Sequence, residues 1–130
     1  MVEYVIENAL NNYIFIIDDI NSKYIPALYR NSELYIFPSY CEVFGLTNLE
    51  AMACGVPVIT SSLSAMPEVC GNAAVYFNPL DPIDIHHKII DTFHNEDLKS
   101  NLIENGYENI KNYSWIRTVS QTARLITNED

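Results

Sequence analysis

Along this chain, apolar residues switch between helical stripes and short β-rich runs, and those switches predict its elements. Val2, Val5, Ile6, Ala9 and Leu10 follow the spacing of an amphipathic helix, and the run Tyr13 to Ile17 comes straight after as a first strand. Asp18 to Asn21 is polar and turn-like. Ser22 then caps a short helix through Arg30, with Pro26 early enough in it to be tolerated. Leu34 to Phe37 reads as a second, buried strand that ends at Pro38. Thr47 to Cys54 suits a short helix stopped by Gly55 at the C′ position, and Val56 to Thr60 and Ala74 to Phe77 give two further strands.

Asp81-Pro82-Ile83-Asp84 is a strong helix start, with a capping Asp, Pro at N1 and a carboxylate at the positive end of the dipole. Ile85, Ile89, Ile90 and Phe93 supply the core stripe of that helix. Asn95 and Ser114 each cap one more helix, the last carrying Trp115, Val119 and Leu125. Strands alternating with helices imply an α/β fold, a Rossmann-like parallel sheet flanked by helices.

Composition narrows the class. With 130 residues, 48% of them hydrophobic, the chain can bury one core, so 1–130 is read as one domain. A formal charge of −10 repels a polyanion and argues against nucleic acid as a partner. No apolar run reaches transmembrane length, which leaves only peripheral membrane association open. Cys41, Cys54 and Cys70 form an odd set without CxxC spacing, as expected of plain thiols in a reducing, cytoplasmic setting. His86, His87 and His94 lack supporting Cys or acidic ligands, so no metal site is expected.

The chemistry concentrates between Phe37 and Val58. This stretch leaves a strand, crosses a loop containing Gly45 and enters a helix, which puts it at the carboxyl edge of the sheet, where α/β folds bind ligands. Glu42 and Glu50 flank the loop. Amides around Gly45 and at the start of the helix lack intrahelical acceptors and suit a diphosphate. Plainer readings stand beside this one. Thr47-Asn48-Leu49-Glu50 is also a T-x-x-E capping box, Glu42 could be a solvated loop charge, and Glu68 suits a helix start or a loop closure.

Glu42 and Glu50, eight apart, followed by Ala51-Met52-Ala53-Cys54-Gly55-Val56-Pro57-Val58, resemble the signature of the group 1 (family 4) retaining glycosyltransferases, which have the GT-B fold. Phe44-Gly45-Leu46 matches that family's FGL loop. Ile25 to Tyr29, Ser61 with Pro67-Glu68-Val69, Gly71 to Ala74, Asn78-Pro79 and Ser114-Trp115 extend the similarity over roughly Tyr13 to Arg124. The resemblance implies transfer of a sugar from a UDP- or GDP-linked donor to an unknown acceptor, with no metal required. Glu50 would accept from ribose hydroxyls. Glu42, the candidate catalytic residue, would hold hydroxyls of the transferred sugar. The amides of Phe44, Gly45 and Leu46, in the same donor loop as Val43, would approach sugar and diphosphate, while Asp18 and Asp19 match the seat of the base.

Two positions depart from the family: Val43 and Ile17 each stand where it usually has Gly. The family's basic Arg and Lys pair falls upstream of this sequence, and the acceptor-binding domain is not in it. The resemblance therefore implies an incomplete C-terminal GT-B domain, to be completed by an N-terminal domain on the same or a separate chain. The alternative is a catalytically inactive remnant that acts as an interaction or regulatory module. A receiver-like or flavodoxin-like domain would need an early acidic or flavin-phosphate site, and none is present.

Overall fold

The structure, a computed structural model, describes Val2 to Thr127, so the span 1–130 runs past it at both ends. Its sheet has three parallel strands in the order β1 (Tyr35–Phe37), β2 (Val58–Ser61), β3 (Ala74–Phe77). Ile36 pairs with Ile59, and Ile59 with Val75. The helices are α1 (Val2–Glu7), α2 (Ile25–Arg30), α3 (Leu46–Ala53), α4 (Met66–Cys70), α5 (Pro82–Phe93), α6 (Glu96–Ile110) and α7 (Trp115–Thr127). The α/β arrangement read from the sequence is thus observed.

β2 has a strand on either side, and all four of its residues are buried. Full burial of Val58 and Ile59 stabilises the fold by about 1.5–3 kcal/mol each. Leu49, Ala51 and Met52 of α3 join Val58, Val69, Cys70, Ala73 and Ala74 in one core cluster, against which Tyr29, Tyr35, Ile110 and Tyr113 pack. α3 also lies along α6. Helix starts follow the expected chemistry. Asp81 accepts from the Ile83 and Asp84 amides, Asn95 accepts from Leu98, and the Asp84 carboxylate takes the Asn78 amide at 2.7 Å. At the other end of the helical layer, Lys99 bridges Glu96 of α6, 2.7 Å away, to Glu33 before β1, 3.4 Å away.

Several expectations change. Tyr13 to Ile17 forms no strand. The Tyr13 and Ile14 amides bond instead to Leu10 O in a turn, and Tyr13 and Phe15 stand 81% and 77% exposed. No strand of the described sheet lies beside them, and β propensity is realised only against a partner. α1 ends at Glu7, with Ala9 in the left-handed region at φ 53°, and only Val5 of its stripe is buried. Asn21, rather than Ser22, caps the 3-10 turn Ser22–Tyr24 that leads into α2. Ile36 is exposed because β1 is the sheet's edge, and Ile90 and Phe93 of α5 are exposed too. α7 buries no residue, and Trp115, Val119 and Leu125 stand exposed on it.

Candidate functional site

β1 delivers the chain to the carboxyl edge of the sheet, and residues 38–45 cross that edge before α3 begins. Gly45 is the residue that makes the turn. It is buried, holds φ at +75°, and an added Cβ would stand 2.8 Å from Met66 Sδ and 3.0 Å from Asn48 Nδ2. Both the dihedral and the space demand glycine. Gly45 is also the N-cap of α3, and no side chain caps that helix. Thr47 therefore lies inside the first turn and the capping-box reading of Glu50 fails, because its geometry needs Thr47 outside the helix.

A second consequence concerns the amides. Among the described residues, no acceptor bonds the backbone N–H of Phe44, Gly45, Leu46 or Thr47. Among the described residues, the two buried side-chain atoms without a hydrogen-bond partner, Thr47 Oγ1 and Asn48 Oδ1, lie in the same stretch. Unpaired donors at a helix start, on the positive end of its dipole, form an anion-receptive edge. Native proteins leave few buried polar atoms unsatisfied, so both orphans falling here marks the stretch as a site.

The candidate residues divide around a cavity of about 840 Å³ between α3 and the α6–α7 elbow. Phe44, Leu46 and Glu50 line it, with Ala53, Tyr113, Trp115, Arg117 and Gln121. Its volume suits a small-molecule ligand. Phe44 packs edge-on against Tyr113 at 5.6 Å between ring centres, tying the loop to the elbow. Glu50 is exposed on α3, beside Tyr29 of α2. Burial, with Tyr35 and then Glu50 nearby, pushes the Tyr29 hydroxyl well above the usual phenol range, so it stays a protonated donor.

Glu42 does not line that cavity. It is half-buried; Ser39 Oγ donates to Glu42 Oε1 at 3.1 Å, and Ser64 Oγ bonds its backbone on both sides. It is thus a held carboxylate rather than a solvated loop charge. Val43 is 96% exposed and has no positive φ, so the valine neither fills the loop nor strains it. Asp18 and Asp19 are exposed on the segment before α2 and do not line the cavity. Glu68 sits, exposed, in the first turn of α4, as a helix-start carboxylate does.

Sequence reasoning missed Ser39, Ser64, Thr47, Asn48 and Arg117. Thr47 and Asn48 lie inside the motif and were legible as polar residues ahead of an apolar helix face. Among the described residues, Arg117 is the one basic side chain lining the cavity, and it comes from a helix distant in sequence.

Residues 2–109 match the family described as "Glycosyl transferases group 1". O-antigen chain mannosyltransferase B of Escherichia coli is 35% identical over 98 residues, which is 75% of this chain and 26% of that protein. D-inositol 3-phosphate glycosyltransferase of Salinispora arenicola is 34% identical over 98 residues, covering 74% of this chain and 22% of that protein. The chain thus spans about a quarter of the length of these curated relatives. Among solved structures, sucrose-phosphate synthase of Thermosynechococcus elongatus superposes with a TM-score of 0.87 at 25% identity, covering 98% of this chain and 33% of that one. The C-terminal domain of a group 1 glycosyl transferase from Francisella tularensis gives 0.69 at 28% identity, with 85% and 58% covered. The strand-loop-helix at the carboxyl edge and the family match converge: this chain belongs to the group 1 glycosyl transferases, with the fold of the C-terminal domain of GT-B enzymes.

Proposed function

We propose that this chain supplies donor binding to a retaining, metal-independent glycosyltransferase that moves a sugar from a UDP- or GDP-linked donor to an acceptor. The observation that carries the reading is the run of four backbone N–H groups, Phe44 to Thr47, that have no acceptor among the described residues and lie next to a cavity lined by the Glu50 carboxylate. Hydrogen bonds to a charged group are worth about 1.5–3 kcal/mol each, so several such amides suit a leaving diphosphate without a metal. Glu50, with the protonated Tyr29 beside it, accepts from vicinal ribose hydroxyls. Arg117 offers the cavity its one positive side chain, and Glu42 accepts from hydroxyls of the sugar. Asp18 and Asp19 belong to this reading only through the family resemblance.

Transfer needs a second wall that positions the acceptor, which can supply on the order of 7–11 kcal/mol of the barrier reduction. An N-terminal GT-B domain, on the same or another chain, supplies it in this reading. The inactive-remnant alternative loses one motive, since Val43 is exposed and does not strain the loop.

The test is a titration of isotope-labelled chain with GDP, GDP-mannose, UDP and UDP-glucose, followed by amide chemical shifts. A mannosyl donor comes first because several relatives are named mannosyltransferases. Saturating shifts at Phe44 to Glu50 are expected. Shifts confined to other segments, or none at millimolar ligand, would overturn the reading.

A further inference from the structure

We propose that Ser64 is a positioning residue for Glu42, closing the donor loop from the far side and so selecting for the sugar rather than for the nucleotide. This inference rests on the donor reading above. Ser64 Oγ donates to Glu42 O at 2.6 Å and accepts from Glu42 N at 3.2 Å, across 22 residues of sequence. One hydroxyl thereby fixes the peptide on both sides of the same residue, which restricts both of its backbone dihedrals and sets the direction of its side chain. Ser39 Oγ holds one carboxylate oxygen at 3.1 Å, so backbone and side chain of Glu42 are each held by a serine.

The geometry is built for this contact. Ser64 has φ at 59°, a left-handed conformation that residues other than glycine seldom adopt. The turn that presents it begins at Ser61, which is buried and whose Oγ accepts from Leu63 N at 3.1 Å. Two residues past Ser64, the Met66 side chain lies against Gly45 and bonds Asn48 Nδ2 at 3.2 Å. Residues 61–66 therefore brace the loop twice, at Glu42 through Ser64 and at Gly45 through Met66. The two braces divide the work: the Met66 contact maintains the amide edge that receives phosphate, and the Ser64 contact aims the carboxylate that meets the sugar.

Two variants test this, measured on the whole chain. Ser64→Gly removes the hydroxyl and suits the positive φ, so it should keep the fold, and Ser64→Ala removes the hydroxyl while keeping a Cβ. For each, and for wild type, the affinities of GDP against GDP-mannose and of UDP against UDP-glucose are measured, with hydrogen exchange of the Glu42 amide. In both variants the Glu42 amide should exchange about tenfold faster, and GDP or UDP affinity should stay within about twofold. The extra affinity for the nucleotide sugar should fall by about tenfold. A general structural role would weaken nucleotide and nucleotide sugar together, and that result overturns the proposal. Preference for the nucleotide sugar kept in both variants overturns the role of Ser64 while leaving the donor reading intact. A wild-type chain that binds none of the four ligands overturns the donor reading and this inference with it.

Discussion

Val56-Pro57-Val58-Ile59-Thr60 and Tyr13-Ile14-Phe15-Ile16-Ile17 are similarly rich in strand-forming apolar residues, yet the first is wholly buried and the second wholly exposed. The first run leads into β2 and supplies its first three residues, with β1 and β3 on either side and α3 against it. The second has no strand beside it among the described residues. An apolar pattern states which side chains need cover; the rest of the molecule decides whether they get it. α3 and α7 repeat the contrast, since α3 buries four residues and α7, with the sharper separation of apolar and polar faces, buries none.

The largest test of this contrast is a pair of truncations. Ile59→Ala should cost about 2–5 kcal/mol in urea denaturation, whereas Phe15→Ala should stay within about 0.5 kcal/mol. A cost above about 2 kcal/mol at Phe15 would mean that the first segment is covered in solution, and the contrast would collapse.

A smaller effect is expected at the loop. Gly45→Ala should destabilise by about 1–3 kcal/mol, because it places a Cβ at a positive φ and against Met66. Donor affinity should drop with it, measured by the same amide titration. Unchanged stability would show that the loop can follow another path.

Smallest is the comparison of a capping carboxylate, Asp81, with one inside a helix, Glu50. Asp81→Ala should cost about 1 kcal/mol by removing the α5 cap, and Glu50→Ala no more than about 0.5 kcal/mol, since Glu50 caps nothing. Thermal or chemical melts of both variants decide it. A Glu50→Ala cost equal to that of Asp81→Ala would restore the capping role that the geometry removes.

The sequence made legible what depends on near neighbours. The caps at Asp81 and Asn95 and the stop at Gly55 rest on local chemistry and appear, and the strands read at Leu34–Phe37, Val56–Thr60 and Ala74–Phe77 appear as Tyr35–Phe37, Val58–Ser61 and Ala74–Phe77. Glu42 and Glu50 were legible as carboxylates flanking the loop, and the unbonded amides between them were legible from the glycine and the helix that follows it. Ser64 was not found, because its partner is 22 residues away and nothing local announces a left-handed serine. Arg117 was missed for the same reason, reaching the cavity from α7, far along the chain from the loop. The predicted α3 start was displaced because Gly45, through its backbone, takes the capping position that Thr47 was expected to fill.

The unpaired donors of the loop are main-chain amides, and that has a genetic consequence. A codon change can remove a carboxylate or a hydroxyl, but short of proline it cannot remove an N–H. The identities of residues 44, 46 and 47 therefore bear less on the loop's attraction for anions than its backbone path does, and inheritance of that property falls on the residues that set the path at the amide edge, Gly45 and Met66. A proline scan of 44, 46 and 47 beside an alanine scan would read this directly, with proline erasing at each position what alanine leaves in place.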